Sequence, residues 1–355
     1  MEITFILPFN YANGGHRVVA TYARHLIDLG HRVNVISQPY DTRVPFKKHL
    51  KALLKGQKVS RPVPPPPSDQ MDFLGDRHKV LDKPGAPRAS EVPDGDVIIA
   101  TWWETAEWVA ALPASKGRKL YLIQDYEVFP HLSAERVSGT YRLPLTKIAV
   151  SDYIRDTIAA NHGVDDITVI PNAVDHDQFR TPERRRNDTF TVGFLYSSAT
   201  RKNIRLAISA MEKVRAEIPD VQLRVFGTPP IYPELPLPDW ARYERSPAQT
   251  HIPEIYAACD VWLFTSTHEG FGLPVLEALA CRTPVLATAA GAAPQLVDGT
   301  NGTILPPEEA AFTQEILRFA RMSDSEWQDY SAAAYRTATG YSWADATDRL
   351  LEQMR

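Results

Sequence analysis

Cysteine is scarce in this chain, which has only Cys259 and Cys281 among its 355 residues. Two cysteines cannot build a framework of disulfides, and neither stands in a spacing typical of metal ligands. The cysteine content therefore gives no indication of an oxidising compartment.

A long apolar run and an excess of positive charge are also missing. No stretch reaches the ~18 apolar residues that a membrane-spanning helix needs, and the start "MEITFILPFN" becomes polar too soon for a secretory signal peptide. The net charge of -4 argues against a general nucleic-acid binder. We therefore expect a soluble, cytoplasmic protein with no nucleic-acid partner.

One basic stretch qualifies that expectation. Residues 47–61, "KKHLKALLKGQKVSR", combine lysines with leucines at 50, 53 and 54. Such a segment could rest peripherally on an anionic membrane surface, or it could be an ordinary solvated helix or loop. The sequence leaves both alternatives open.

Apolar residues make up 44% of the chain and are arranged as alternating strands and helices. The N-terminal part runs from the strand "ITFILP" through the turn-rich "FNYANGG" and an amphipathic helix to the strand "HRVNVIS". The same alternation starts again at "DTFTVGFLYS". This pattern predicts an α/β protein with two parallel sheets covered by helices.

The restart of the pattern also predicts the domain boundaries. We expect one domain over residues 1–174 and a second over 175–340. The final segment 341–355 is predicted to be a helix that packs back on the first domain.

The stretch 266–288, "STHEGFGLPVLEALACRTPVLAT", places Glu269 and Glu277 on either side of a glycine-rich turn. Gly270 and Gly272 allow a tight turn after a buried strand, and Pro274 suits the first turn of a helix. A helix that starts there directs unpaired N–H groups towards a ligand and favours a diphosphate. A glycine loop with two helix-capping acids is the alternative that spacing alone leaves open.

Several stretches in the same order resemble family 4 glycosyltransferases, which are retaining enzymes. "HEGFGLPVLEALACRTPVLAT" is similar to the E-x7-E motif of that family, and "FILPFNYANGGHRVVATYARHLIDLGHRVNVIS" resembles its N-terminal glycine loop and first helix. "IAVSDYIRDTI", "VIPNAVDHDQF" and "AAGAAPQLVDGTNGTILPPEE" resemble further family segments. The resemblance implies the GT-B fold, with two Rossmann-like domains whose parallel sheets face each other across an interdomain cleft.

In the second domain, the resemblance implies a site for the donor sugar nucleotide. Glu277 would bind the ribose of the nucleotide, and Glu269 would act beside the donor sugar. The intervening loop would offer backbone N–H groups to the sugar and the diphosphate; it consists of Gly270, Phe271, Gly272 and Leu273.

The cationic pair of the family is only partly present. Phe194 stands where the family places an arginine, and Lys202 matches its catalytic lysine. Arg201 could replace the missing arginine as a donor-binding cation, or it could be an ordinary charge at the start of a helix. Adjacent side chains diverge, so the sequence does not ensure that both cations reach one diphosphate.

In the first domain, the resemblance implies contacts with the acceptor. Gly14 and Gly15 would permit close approach of the acceptor and the donor, respectively. Gln124 takes the place of a family histidine and can hydrogen-bond a hydroxyl but cannot act as a base. Asp125 could orient the acceptor hydroxyl or simply form a turn. Two candidates come from the residues themselves: His16 could contact the acceptor or be a solvated residue at the helix start, and Trp103 could stack on the acceptor or pack in the core.

The predicted activity is transfer of a hexosyl or deoxyhexosyl group from a nucleoside diphosphate sugar to an acceptor hydroxyl, with no metal and no other cofactor. The acceptor could be a glycan, a lipid-linked saccharide or a small molecule. Two alternatives stay open: a sugar-nucleotide epimerase, and a partner subunit that binds the sugar nucleotide without turnover.

Overall fold

The computed structural model describes residues 1–11, 13–42 and 69–355. The basic stretch 47–61 lies outside the described residues, so its contact with a membrane stays a prediction. The described residues form two compact units. The first unit consists of Met1–Ile148, His162–Thr168 and Leu350–Arg355, and the second consists of Ala149–Asn161 and Val169–Arg349.

The first sheet has seven strands among the described residues, in the order β3-β2-β1-β4-β5-β6-β7. Its strands are β1 (Glu2–Leu7), β2 (Arg32–Ser37), β3 (His78–Val80), β4 (Val97–Ala100), β5 (Arg118–Ile123), β6 (Thr146–Ala149) and β7 (Ile167–Val169). Strand β1 is the third of the seven and pairs in parallel with both β2 and β4. Its last five residues are buried, as expected for a strand covered on both faces.

The helices in this part of the chain are α1 (Gly14–Asp28), α2 (Trp103–Ala111), α3 (Ala134–Thr140) and α4 (Asp152–His162). The first three belong to the first unit, whereas α4, except for its last residue, belongs to the second unit. The side chain of Asn13 caps α1 by accepting a hydrogen bond from the backbone N–H of His16. Gly30 follows the helix with a left-handed φ of 83°, which ends it as the sequence predicts.

The second sheet has six strands among the described residues, in the order β10-β9-β8-β11-β12-β13. They are β8 (Thr191–Tyr196), β9 (Gln222–Gly227), β10 (Ala241–Arg245), β11 (Val261–Phe264), β12 (Val285–Ala287) and β13 (Gly302–Ile304). All five neighbouring pairs run in parallel. The carboxyl ends of β8, β11 and β12 therefore meet at one edge, where ligands bind in sheets of this type.

The helices of the second half of the chain are α5 (Ile204–Glu217), α6 (Ile252–Ala257), α7 (Leu273–Ala280), α8 (Ala293–Leu296), α9 (Glu309–Arg321), α10 (Asp324–Thr339) and α11 (Trp343–Met354). Helix α5 packs on β8 and β9 with its buried stripe, and Trp327 of α10 joins the same core with 0% exposure. Helix α7 is buried along most of its length, which fits its strongly apolar sequence.

The two predicted α/β halves and the helix over 341–355 are present as secondary structure. Three short strands were not predicted: β3, β10 and β13. Strand β10 has no fully buried residue, so it lacks the apolar run that marks the other strands.

Candidate active site

The loop after β11 brings Glu269 into a buried position at the carboxyl edge of the second sheet. The residue is 7% exposed. Its Oε1 accepts a hydrogen bond of 2.8 Å from the Ser266 hydroxyl. Two cations reach the same carboxylate: the Lys202 ammonium at 2.5 Å and the Arg201 guanidinium at 3.1 Å.

A short 3-10 helix, Thr200–Lys202, holds the two cations in place. Its backbone is tied to the loop after β11, because the Thr267 N–H donates to the Arg201 carbonyl at 2.7 Å. The Thr265 hydroxyl donates to the Lys202 carbonyl at 3.1 Å. The sequence did not ensure that the adjacent side chains of Arg201 and Lys202 reach one point. These backbone bonds explain how both converge on the Glu269 carboxylate.

The charge state of Glu269 follows from these contacts. Burial by itself raises the pKa of the carboxyl, since desolvation disfavours the charged form. The positive charges of Lys202 and Arg201 and the hydrogen bonds from Lys202 and Ser266 outweigh this effect, so the pKa is lowered overall. Glu269 is therefore a carboxylate whose two neighbouring cations are held ready beside it.

Gly272 forms the turn from this loop into α7. Its φ of 93° is left-handed, and it is the N-cap residue of the helix. A Cβ at this position would lie 2.8 Å from the Phe264 ring. Both the backbone conformation and the space therefore require glycine here. Pro274 is the second residue of α7, which agrees with its prediction as a first-turn residue.

Glu277 is the fifth residue of α7 and lies at the start of the second turn. The residue is 5% exposed. The Tyr256 hydroxyl donates to its Oε2 at 2.9 Å. The α7 helix thus carries a hydrogen-bonded carboxylate one turn beyond the glycine loop.

A second loop, which follows β12, supports the first. The backbone N–H of Ala292 donates to the Phe271 carbonyl at 2.8 Å. Gly291 has a φ of 58°, and a Cβ there would come within 2.9 Å of the Glu269 Cβ and 2.7 Å of the Phe271 carbonyl oxygen. The sequence pattern does not mark Gly291, Ser266 or Tyr256 as site residues. Only the glycine inside "AAGAAP" offered a signal.

Phe194, which stands where the family places an arginine, is part of the core of the second unit. It is 1% exposed and lies opposite Leu263 in the register of β8 and β11. Its position in the strand directs the side chain into the core. Arg201, by contrast, is half-buried at the loop and contacts Glu269 directly.

In the first unit, Gly15 and Gln124 lie against each other. A Cβ at Gly15 would come within 3.3 Å of both amide atoms of Gln124 and of the Asn13 side-chain oxygen. The amide oxygen of Gln124 is buried without a hydrogen-bond partner among the described residues. Gly14 is exposed at the first position of α1, and no atom of the described residues would lie within 4 Å of a Cβ added there.

Two further candidates of the first unit, His16 and Trp103, are buried. His16 is 3% exposed and hydrogen-bonds the Phe9 carbonyl, and burial lowers the pKa of its imidazole. Trp103 is 5% exposed, with the Arg136 guanidinium 4.8 Å from its ring centroid. Of the neighbouring tryptophans, Trp102 is the more accessible, and it stacks on Phe129.

The loop after β5 carries Asp125 and a buried glutamate that sequence reasoning missed. Asp125 is half-buried, and its Oδ1 accepts from the Tyr126 N–H at 2.9 Å. Glu127 is 0% exposed and accepts hydrogen bonds from the Trp103 N–H and the Tyr121 hydroxyl. Burial raises its pKa well above the ordinary value, since desolvation disfavours the charged form.

Neither a metal-ligand cluster nor a spanning helix occurs in the described part of the chain. No group of three or more His, Cys, Asp or Glu residues there could hold a metal ion. No helix there is long and apolar enough to cross a membrane.

Curated relatives match parts of the chain. The D-inositol 3-phosphate glycosyltransferase of Mycobacterium bovis is 31% identical over 236 residues, which is 59% of this chain and 48% of the relative. The O-antigen chain mannosyltransferase B of Escherichia coli is 31% identical over 114 residues, which is 32% of this chain and 29% of the relative. The chain thus spans less than half of the length of either relative.

Solved structures match the fold over the full chain at low sequence identity. HepE of Anabaena in complex with UDP has a TM-score of 0.76 at 17% identity and covers 100% of this chain and 99% of its own. Sucrose-phosphate synthase from Thermosynechococcus elongatus has a TM-score of 0.71 at 16% identity, with 99% and 98% coverage. These similarities establish the GT-B fold.

Two family models match successive parts of the chain. The model described as Glycosyltransferase Family 4 matches residues 12–178, and the model described as Glycosyl transferases group 1 matches residues 186–322. The matches follow one another in the order of the two α/β halves and leave residues 1–11, 179–185 and 323–355 uncovered. The chain therefore belongs to the family 4 glycosyltransferases.

Proposed function

We propose that this protein transfers a glycosyl group from a nucleoside diphosphate sugar to an acceptor hydroxyl, with retention of the anomeric configuration and without a metal. The observation that carries the proposal is the convergence of Lys202 and Arg201 on Glu269 beside the start of α7. A sugar diphosphate needs cations at its leaving phosphate, and the 3-10 helix beside this loop carries two.

Lys202 and Arg201 would stabilise the diphosphate as the bond to the sugar breaks. Their charges are fixed before the ligand arrives, so little reorganisation is needed as negative charge develops on the leaving oxygen. Backbone N–H groups at the start of α7 point the same way, since the first N–H groups of a helix have no partner within the helix. These groups perform the task that a metal ion performs in other transferases.

Glu277 would accept hydrogen bonds from the ribose hydroxyls. An ionised carboxylate accepts two such bonds well, and a second turn of a helix places it about 5 Å beyond the helix start. Tyr256, which donates to Oε2 at 2.9 Å, would fix the orientation of the carboxylate.

Glu269 would lie beside the donor sugar. The acceptor proton would pass to the departing phosphate, because Gln124 cannot act as a base. The sugar nucleotide as donor is supported by HepE, whose structures are described as complexes with UDP and with UDP-glucose. The mannosyltransferase and inositol phosphate glycosyltransferase relatives support glycosyl transfer as the reaction class.

The non-catalytic alternative loses its main support in this geometry. It depended on the missing arginine at Phe194 and the missing histidine at Gln124. Arg201 contacts Glu269 and would supply the missing cation. The acceptor class remains a saccharide, a lipid-linked saccharide or a small molecule with a free hydroxyl.

A thermal-shift panel of UDP, GDP, ADP and dTDP sugars tests the proposal. A ligand that binds the native state at about 100 times its Kd stabilises the protein by about 2.7 kcal/mol, which raises the Tm measurably. We expect one nucleotide class to raise the Tm of the wild type and to lose that effect in Glu277→Ala. Absence of a shift with every sugar nucleotide would refute the proposal.

A further inference from the structure

A groove in the second unit lies beside the loop that carries Glu269. One wall is helix α4, and the other is the segment from Ala289 to Gln295. Its volume of about 580 Å³ falls within the range of about 300–1,000 Å³ that is usual for small-molecule sites. None of its lining residues was assigned above to the donor.

The lining is rich in groups that hydrogen-bond hydroxyls. Six of the ten lining residues have polar side chains: Asp152, Tyr153, Asp156, Thr157, Asn161 and Gln295. Carboxylates accept hydrogen bonds from hydroxyls, and amides both donate and accept them. The Tyr153 ring adds an aromatic surface of the kind that packs against a sugar ring.

The charge of the groove selects against anions. Among the described residues, Asp152 and Asp156 are the only ionisable side chains in its lining other than the Tyr153 phenol, and no lysine, arginine or histidine lines it. Arg155 pairs with Asp152 at 2.7 Å and with Asp156 at 2.8 Å, so its charge is shared between the two acids. A phosphate group would meet two carboxylates here, whereas a neutral polyol would meet hydrogen-bond partners.

The groove meets the loop that carries Glu269 at two points. The Tyr153 hydroxyl lies 3.3 Å from Nδ1 of His268, the residue before Glu269. Gly291, which also lines the groove, packs against the Glu269 Cβ so closely that a side chain at 291 would collide with it. A ligand in this groove would therefore extend towards the carboxylate beside which the donor sugar is proposed to bind.

We propose that this groove binds the saccharide of a neutral acceptor and presents its hydroxyl to the donor. The proposal rests on the proposed transferase function and adds the acceptor class and its binding site. It predicts that uncharged glycosides are preferred over phosphorylated polyols.

The substitution Ala160→Trp tests the site by filling it. Ala160 is exposed and lines the groove, so an indole there occupies the space without replacing a buried side chain. The matched control is Ala310→Trp, because Ala310 is also an exposed helical alanine but lies in α9, outside the groove.

Saturation-transfer NMR with the full chain and a saturating donor nucleotide provides the readout. The probes are methyl α-D-mannoside, methyl α-D-glucoside and methyl α-L-rhamnoside, with sn-glycerol 3-phosphate and myo-inositol 1-phosphate as anionic probes. We expect at least one neutral glycoside to bind the wild type and Ala310→Trp, and to bind Ala160→Trp at least ten-fold more weakly.

Equal binding of the glycoside by Ala160→Trp and the wild type would overturn the assignment. A preference for either anionic probe, or no binding of any neutral glycoside, would also overturn it. The donor-induced rise in Tm is measured on the same samples. If that rise is absent in the wild type, the proposed function fails. If it is present in all three proteins, donor binding is intact and the difference in glycoside binding tests the groove alone.

Discussion

At the scale of single residues, Glu269 is the point at which the charges of the site meet. Its carboxylate holds Lys202 at 2.5 Å and Arg201 at 3.1 Å. Each cation is already directed at the place where a diphosphate is proposed to arrive. The ion pairs therefore keep the two side chains in place until the ligand binds.

The substitution Lys202→Met removes the charge and retains most of the side-chain length. We expect kcat to fall at least about 100-fold, because a fixed cation at a leaving group contributes several kcal/mol to the transition state. Arg201 and Ser266 still contact Glu269, so the fold should persist. Steady-state kinetics with the donor found in the thermal-shift panel measures the change.

The control for this prediction is Lys213→Met, which removes an exposed lysine from α5. Its kcat should stay within two-fold of the wild type. If Lys202→Met retained wild-type kcat, Lys202 would have no part in the chemistry and would serve only to neutralise Glu269.

The sequence predicted the principal residues of this site but not their supports. The E-x7-E spacing and the basic pair before α5 pointed to Glu269, Glu277 and the two cations. Ser266 and Tyr256 could not be predicted, since a serine and a tyrosine have many uses and their hydrogen bonds depend on the packing of side chains distant in sequence.

At the scale of elements, the turn from β11 into α7 determines where the helix begins. Gly272→Ala forces a side chain into a left-handed φ of 93° and places its Cβ 2.8 Å from the Phe264 ring. We expect a loss of about 1–3 kcal/mol in the free energy of unfolding and loss of the donor-induced rise in Tm. Urea unfolding and the thermal-shift assay measure the two effects.

The substitution Gly299→Ala distinguishes the cost of a left-handed backbone from the cost of a steric clash. Gly299 has a similar φ of 91°, but no atom of the described residues lies within 4 Å of a Cβ built there. This variant should lose less stability than Gly272→Ala and should keep its donor-induced shift. Equal losses in the two variants would mean that the contact with Phe264 has no energetic importance.

The junction of the loop after β5 with helix α2 contains a buried carboxyl, Glu127. Its folded pKa is raised by burial, whereas in the unfolded chain it is about 4.3. The native state therefore holds a proton that the unfolded chain releases, and stability falls as the pH rises from about 4.3 towards the folded pKa. The contribution of Glu127 is most favourable at the acidic end of this window.

Glu127→Gln keeps the shape and cannot ionise, so it removes that pH dependence. We expect the stability of the variant relative to the wild type to increase as the pH rises from 5 towards the folded pKa of Glu127, as followed by urea unfolding. Glu135→Gln, at an exposed position of α3, is the control and should track the wild type. A constant difference between Glu127→Gln and the wild type across this range would contradict a raised pKa.

The elements themselves were predictable where burial was strong. Strands such as β1 and β11 are continuous apolar runs because both faces of a parallel sheet are covered. Strand β10, at the edge of its sheet, has no such run, since its side chains are only partly buried. Strand β10 is defined by its parallel backbone pairing with β9 and not by an apolar pattern in its own sequence.

At the scale of the whole molecule, the chain repeats one plan: a parallel sheet with helices, first with seven strands and then with six among the described residues. The restart of the strand–helix alternation near residue 190 predicted this plan. The two family models also divide between the same halves.

Retention of the anomeric configuration of the transferred sugar is a prediction about the whole enzyme. No pair of carboxylates is assigned here to a double displacement, and the acceptor proton is proposed to leave on the departing phosphate. We expect proton NMR of the first-formed product to show the anomeric configuration of the donor. An inverted product would require a general base that the proposed mechanism does not contain.

The most direct test of the proposed donor site is a crystal structure of the protein soaked with the nucleoside diphosphate sugar that raises its Tm. We predict that the diphosphate lies within hydrogen-bond distance of Lys202 and of the first backbone N–H groups of α7, with the ribose on Glu277. A nucleotide bound at another place, with Glu277 still enclosed and out of its reach, would contradict the proposal.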